Sequence, residues 1–418
     1  AVLTHSENAR CIFLDQPRTC NAMLHINGTL THFANPLASP TGVYTDVMKD
    51  VVSVEKSLAA IRDIKSWPNY QETPLYVLTS MAQSLKVAKI YYKDESLRFG
   101  LKSFKALGGA YAVACQLQLA VEAKTGHRPS TAQLLAGACK ADVSELVVCC
   151  ATDGNHGRSV AWGAELFGCG CAIYIHRDVS EGRTQAMAAF GATVTRIDGN
   201  YDESVRQVDA DAKAHGWIVV SDTSYEGYMD IPKDVALGYT VMLDEIVSQL
   251  EGEIPTHVFV QGGVGGLGAA VGGYFWDLWG VKRPRLLIVE PEQANCLQQS
   301  ARAGEPVAVT GDLTTLMAGL ACGEVSSLAW RILAVGTDDF LTLSEEAIPA
   351  TMRLLAQGFE LDPAIEAGES AVPGLAAAVI ARSSVDLSTA MGLDANSRVL
   401  VIGTEGATDP ELYKTLIQ

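Results

Sequence analysis

Charge is scarce in this 418-residue chain, and cationic charge most of all: 31 Lys+Arg stand against 48 Asp+Glu, a net charge of −17. A surface this acidic repels phosphate backbones and anionic lipid, so no nucleic-acid or membrane partner is expected. Apolar runs long enough to span a bilayer, about 18 residues or more, are missing. Residues 1–40 contain no apolar signal core, so no secretory leader is expected. Cysteines number ten, but no CxxC spacing occurs, and Cys115, Cys149, Cys150, Cys169 and Cys171 lie in apolar stretches where thiols pack as small hydrophobes. A disulfide framework is not expected at this length. The eight histidines form no HExxH or paired spacing, so no metal site is expected. These absences describe a cytoplasmic protein.

What is present is core-building. Hydrophobic residues make up 48% and glycines number 38, which excludes wholesale disorder. The length exceeds the ~150 residues of one typical domain, so more than one folding unit is expected. From about Tyr91 onward short apolar strands alternate with helical patterns, the mark of α/β architecture with parallel sheets. Strands are predicted over 145–151, 171–176, 193–198, 217–222, 257–261, 285–290 and 398–404, with helices over 158–167, 181–190 and 201–215. The first 70 residues show no such pattern and read as an irregular arm. The predicted organisation is a larger parallel-sheet domain (71–125 and 211–418) interrupted by a smaller α/β domain (126–210). Ligands in such sheets bind beyond the carboxyl ends of strands.

Three segments suit that position. In Ser103-Phe104-Lys105-Ala106-Leu107-Gly108-Gly109, residues Lys105, Gly108, Gly109 and Ala112 share one helical face. Two adjacent glycines cost a helix interior about 1 kcal/mol each, so another element or a flat ligand must approach that strip. A lysine among apolar neighbours has its ammonium destabilised, which favours the neutral amine of Schiff-base chemistry; close helix packing beside a surface lysine is the plainer account. Thr152-Asp153-Gly154-Asn155-His156-Gly157 follows a strand and opens a helix. It is either an anion-binding helix start or an Asp-Gly turn with Asn155 as cap. Gly262-Gly263-Val264-Gly265-Gly266-Leu267-Gly268 contains GxGxxG, and Glu290 ends the next predicted strand, as a dinucleotide site requires. Backbone amides in such a loop bind any phosphate, however.

The three in this order resemble the fold-type II family of pyridoxal-phosphate (PLP) enzymes, such as threonine dehydratases and serine racemases, over roughly residues 70–412. A dinucleotide site gives no role to the lysine segment. Longer blocks are similar to the diaminopropionate ammonia-lyase family: Tyr92–Leu101, Thr152–Arg158, Asp222–Tyr228, Met317–Glu324, Gly368-Glu369-Ser370 and Gly403-Thr404-Glu405-Gly406. The chain departs from the pattern in an extended N-terminus and a very Gly-rich loop.

The resemblance implies that Lys105, after Phe104, holds PLP as a Schiff base. It places the phosphate on Gly262, Gly263, Val264, Gly265 and Gly266, the phenolic oxygen at Asn155 and the ring nitrogen at Thr404. Thr152, Asp153, Gly154 and His156 meet the substrate. Asp153 takes the Cα proton of the D-isomer and Asp222 that of the L-isomer of 2,3-diaminopropionate, giving pyruvate and ammonia. A homodimer follows from the family. A PLP dehydratase or lyase of another small amino acid stays open, as does a silent PLP-binding regulator.

Overall fold

The computed structural model describes residues 24–152 and 154–418, with the Asp202 side chain also outside the described set. The described residues form eleven strands: β1 (Leu30–Ala34), β2 (Leu75–Val77), β3 (Lys89–Asp94), β4 (Val147–Ala151), β5 (Gly170–Ile175), β6 (Thr193–Arg196), β7 (Ile218–Val219), β8 (His257–Gln261), β9 (Arg285–Pro291), β10 (Asp339–Leu343) and β11 (Arg398–Gly403). They form a seven-stranded sheet, β1-β10-β9-β8-β11-β3-β2, and a four-stranded sheet, β6-β5-β4-β7.

The inner strands of the large sheet are buried along almost their whole length, as strands covered by helices on both faces must be. Every residue of β8 and β10 is buried, as are all but the first residue of β9 and β11. Those strands and β3 pair in parallel. At the two edges β1 joins β10 and β2 joins β3 antiparallel. The larger sheet is therefore a parallel core with one antiparallel strand at each edge. The small sheet is parallel throughout.

The irregular arm expected over 1–70 is corrected for its described part, residues 24–70. It carries β1 and two helices, Asp46–Val51 and Val54–Lys65. β1 has only one fully buried residue and so lacks the apolar run that marks an inner strand. The 201–215 helix matches its predicted bounds because Asn200 and Glu203 form a capping box and Gly216 closes the end in the left-handed region.

Between β3 and the Asp230–Gln249 helix lies a buried ionic network. Glu245 accepts from Lys93 Nζ and Arg98 Nη1, each at 2.7 Å. Arg98 also donates to both Glu95 oxygens at 2.8 Å, and Thr73 Oγ1 donates to Glu95 at 2.6 Å. Two cations balance two anions, which is how charges survive without water. The network pins the 95–100 turn that leads into Ser103. Burial pushes the Glu245 carboxyl up, but Arg98 and Lys93 outweigh it and hold the group near about 2. A carboxyl depressed in the fold stabilises above its unfolded value, and that stability is lost as pH falls through the folded value. Glu245→Gln is expected to cost about 3–5 kcal/mol at neutral pH, since it strands two buried cations. In urea unfolding the deficit against wild type should shrink as pH drops below about 4. A deficit independent of pH would assign the loss to packing.

Candidate active site

Lys105 opens the Lys105–Thr125 helix at the carboxyl end of β11. Phe104 N–H donates to the Thr404 carbonyl at 3.0 Å, and Lys105 N–H to Ser103 Oγ at 3.2 Å. The lysine is thereby stitched to the strand whose end carries Thr404. Its ammonium lies 5.5 Å from the Phe104 ring centre and 6.0 Å from that of Tyr239, and it is ion-paired to Asp222 Oδ2. Neighbouring Lys102 is taken by Glu366 at 2.8 Å.

The pair corrects one expectation. Burial does push the Lys105 amine down, but the Asp222 carboxylate more than reverses it, and the group ends well above the ordinary lysine range. Asp222 in turn is pushed up by burial and pulled well below the carboxylate range by Lys105. The resting site therefore holds an ammonium beside a carboxylate, and the proton must move before the amine becomes a nucleophile.

The glycine strip beside Lys105 serves helix packing. A Cβ on Gly108 would come within 2.4 Å of the Tyr239 ring and 2.7 Å of the Val235 carbonyl, and one on Gly109 within 2.6 Å of Ser159 Oγ. Both neighbours are elements of the fold, the Asp230–Gln249 and Asn155–Phe167 helices.

The second segment departs from the expected Asn155 cap. Thr152, not Asn155, satisfies the turn: its hydroxyl accepts from Gly154 N–H at 3.1 Å and Gly157 N–H at 3.0 Å. The Asn155 amide donates to Glu405 Oε2, so it is engaged across the cleft. His156 is buried, with Nε2 donating to the Val220 carbonyl at 2.8 Å. A carbonyl only accepts, so Nε2 carries the hydrogen. Burial lowers the imidazole pKa, leaving a neutral ring whose unpartnered Nδ1 lies 3.9 Å from Asp222. Asp153 lies outside the described residues.

The third segment joins the same place. Gly263 and Gly265 have φ of +69° and +98°, backbone that favours glycine, and the Gly266–Trp279 helix that follows has no side-chain cap. A Cβ on Gly266 would stand 3.8 Å from the Asp222 carbonyl. The Val264 carbonyl accepts from Ser326 N–H at 2.9 Å, and Ser326 Oγ meets Ser224 Oγ at 2.7 Å, two residues beyond Asp222. Thr404 Oγ1 donates to the Ser370 carbonyl at 3.1 Å.

Three contributors escaped sequence reasoning. Tyr239 flanks the lysine, Glu405 holds Asn155, and Arg183 reaches Glu369 at 2.9 Å. Glu369 is fully buried near Glu405; burial first, then that second carboxylate, raises it to about 7 despite Arg183. The Glu405 and Glu369 neighbourhoods had a signal, as parts of the Gly403–Gly406 and Gly368–Ser370 blocks, whereas Tyr239 and Arg183 had none.

The family model described as pyridoxal-phosphate dependent enzyme matches residues 67–404. The diaminopropionate ammonia-lyase of Salmonella typhimurium is 38% identical, covering 84% of this chain and 89% of its own length. That of Escherichia coli is 39% identical, covering 83% and 87%. The chain belongs to the diaminopropionate ammonia-lyase family of PLP-dependent enzymes. The crystal structure of the E. coli lyase in complex with an aminoacrylate-PLP azomethine reaction intermediate superposes with a TM-score of 0.84 at 34% identity, covering 94% of this chain and 97% of that one.

The cofactor of this family is pyridoxal 5′-phosphate, and the residues present fit it. An amine stands at the strand ends, a glycine loop opens an uncapped helix within reach of Asp222, and Thr404 offers a neutral oxygen. Among the described residues no group of three metal-ligating side chains occurs, and no helix is long and apolar enough to cross a membrane.

Asp222→Asn removes the anion that holds the Lys105 proton, leaving burial to dominate. In cofactor-stripped protein the lysine should then titrate below the ordinary value of about 10.4, read from 13C-methylated lysine by NMR. A lysine still titrating above that value would mean another group carries the pairing.

Proposed function

We propose that this protein eliminates ammonia from 2,3-diaminopropionate, so that one diaminopropionate and one water give one pyruvate and two ammonia. The observation that carries the reading is the Lys105–Asp222 pair at the strand ends, in a chain alike to the lyases over most of its length. When bound, PLP supplies a carbonyl carbon that condenses with amines and a ring that takes up the electron pair left at Cα.

This chain's own residues do the rest. Asp222 holds the proton that Lys105 must shed to attack the cofactor carbonyl. Once the substrate amine has displaced Lys105, the same carboxylate faces Cα and accepts the proton of the L-isomer. Asp153 does so for the D-isomer from the other face. Gly262 to Gly266 direct their amides at the phosphate. Thr404 meets the ring nitrogen by turning its hydroxyl from the Ser370 carbonyl to donate. Asn155 reaches the phenolic oxygen by turning from Glu405, and Thr152, Gly154 and His156 shape the carboxylate-binding turn. The β-ammonium of the substrate suits a site with carboxylates at 153 and 222, where an unanswered anion would be costly.

We place the large unit over 71–125 and the chain after β7, and carry the smaller unit past the expected limit of 126–210 to Val219, since the four-stranded sheet takes its edge strand from Ile218–Val219. Lys105 and the glycine loop then belong to one unit and Asn155 to the other, with the site between them. We also propose a homodimer in the cytoplasm; the eight described cysteines are free thiols, as a reducing compartment maintains.

The substrate is tested by stoichiometry. Diaminopropionate should yield two ammonia per pyruvate, whereas serine, turned over by a dehydratase, yields one; a preference for serine would overturn the substrate assignment. The two bases are tested by enantiomer. Asp153→Asn should lower turnover of D-diaminopropionate by roughly 10²–10⁴ and spare the L-isomer. Asp222→Asn should do the reverse, and its cofactor absorbance should persist. Equal losses on both isomers would reduce the two residues to structural roles.

A further inference from the structure

Glu290 ends β9, where a dinucleotide site would place its ribose ligand. The structure turns it the other way. Its side chain is fully buried, with Oε1 accepting from Leu297 N–H and Oε2 from Gln298 N–H, both at 2.8 Å. Both oxygens are thus spent on the first turn of the Cys296–Ala303 helix. Its Cγ lies directly under Gly262, where a Cβ would come within 2.5 Å. The same helix reaches the next loop residue, Cys296 Sγ donating to the Gly263 carbonyl at 3.5 Å.

We propose that Glu290 is a positioning residue whose carboxyl braces the Gly262–Gly266 loop from below and couples occupancy of that loop by a phosphate dianion to proton uptake at Glu290. The inference rests on the reading of that loop as the phosphate site. The groups facing Glu290 are the Cys296 thiol from the helix, the Thr342 hydroxyl residue beside it on β10, and Gly262 from the end of β8. Among the described residues no lysine, arginine or histidine influences it; burial raises the carboxyl to about 8, with the Leu297 and Gln298 amides opposing. Cys296 is itself pushed far up by burial and then by Glu290, so the thiol brings no second negative charge.

The sign follows from repulsion. Below the raised value Glu290 is neutral and tolerates a dianion on the loop above it. Above that value it is ionised and opposes the phosphate, whose own second pKa of about 6 keeps it dianionic throughout. Phosphate affinity should therefore fall between pH 7 and pH 9.

The experiment titrates cofactor-stripped full-length protein with PLP and with pyridoxal, which lacks the phosphate, following tryptophan fluorescence. The ratio of the two Kd values isolates what the phosphate contributes, because the lysine chemistry is common to both ligands. In wild type the Kd for PLP divided by that for pyridoxal should rise by about tenfold from pH 7 to 9, the equivalent of one pKa unit. In Glu290→Gln it should be flat, and Glu290→Asp should restore a slope with a displaced midpoint. A merely structural carboxyl would lower affinity for both ligands at every pH. A flat wild-type profile overturns the proposal without reference to any variant, as does a Glu290→Gln slope equal to wild type. If Glu290→Gln fails to fold, an unmoved midpoint in Glu290→Asp overturns it. Gly265→Leu separates the two readings: a PLP-to-pyridoxal ratio unaltered by that variant would overturn the placement of phosphate on this loop.

Discussion

A cation and an anion share a cleft that shields most of their surface from bulk water, and the remainder of the site is arranged around keeping them together. Desolvation opposes both charges, so neither Lys105 nor Asp222 would stay ionised there alone. Each is the condition for the other. The consequence is a site that stores a proton on the amine until a carbonyl arrives, with the acceptor for that proton already in contact. The fold supplies the constraint through backbone bonds and a buried hydroxyl pair: Phe104 is tied to Thr404, and the Asp222 loop is tied through Ser224 and Ser326 to Val264. Distant stretches of sequence are thereby fastened together around the ion pair.

The cleft is also crossed by contacts outside those ties. Asn155 meets Glu405, and Arg183 meets Glu369. These join the helices beside the small sheet to loops at the ends of the large one. They are polar, few and near the opening, whereas the ties behind Lys105 are backbone bonds and buried side chains. A site whose back wall is stitched and whose front is held by charge has its freedom at the mouth.

Much of this was legible in the sequence. The buried runs of β8, β9 and β11 announce themselves by composition, and the strand-to-helix turns follow from them. The three chemical segments stand out because glycine, lysine and polar residues interrupt apolar strands where regular structure gives no reason for them. What sequence reading missed depends on partners far along the chain. The strip beside Lys105 demanded a close neighbour, but only the fold says that Tyr239 and Ser159 provide it. The lysine's charge state was misjudged because its apolar neighbours are local and Asp222 is 117 residues away. β1 was invisible because its pairing to β10 spans more than three hundred residues and buries little. The part Thr152 plays in its own turn, accepting from Gly154 and Gly157, was not legible either.

The contact between the Lys105–Thr125 and Asp230–Gln249 helices has a consequence for how this protein can change over time. Gly108 and Gly238 face each other so closely that a Cβ on Gly238 would fall 2.8 Å from the Gly108 Cα and 2.6 Å from the Leu107 carbonyl. Neither position can acquire a side chain while the other helix stays where it is. A substitution at one cannot be rescued by shrinking the other, since glycine is already the smallest residue. The only escape is for the helices to separate, and one of them starts at Lys105. Mutational drift at this crossing is therefore blocked from both sides. Two residues with no chemistry of their own are bound to the fate of the one that has it.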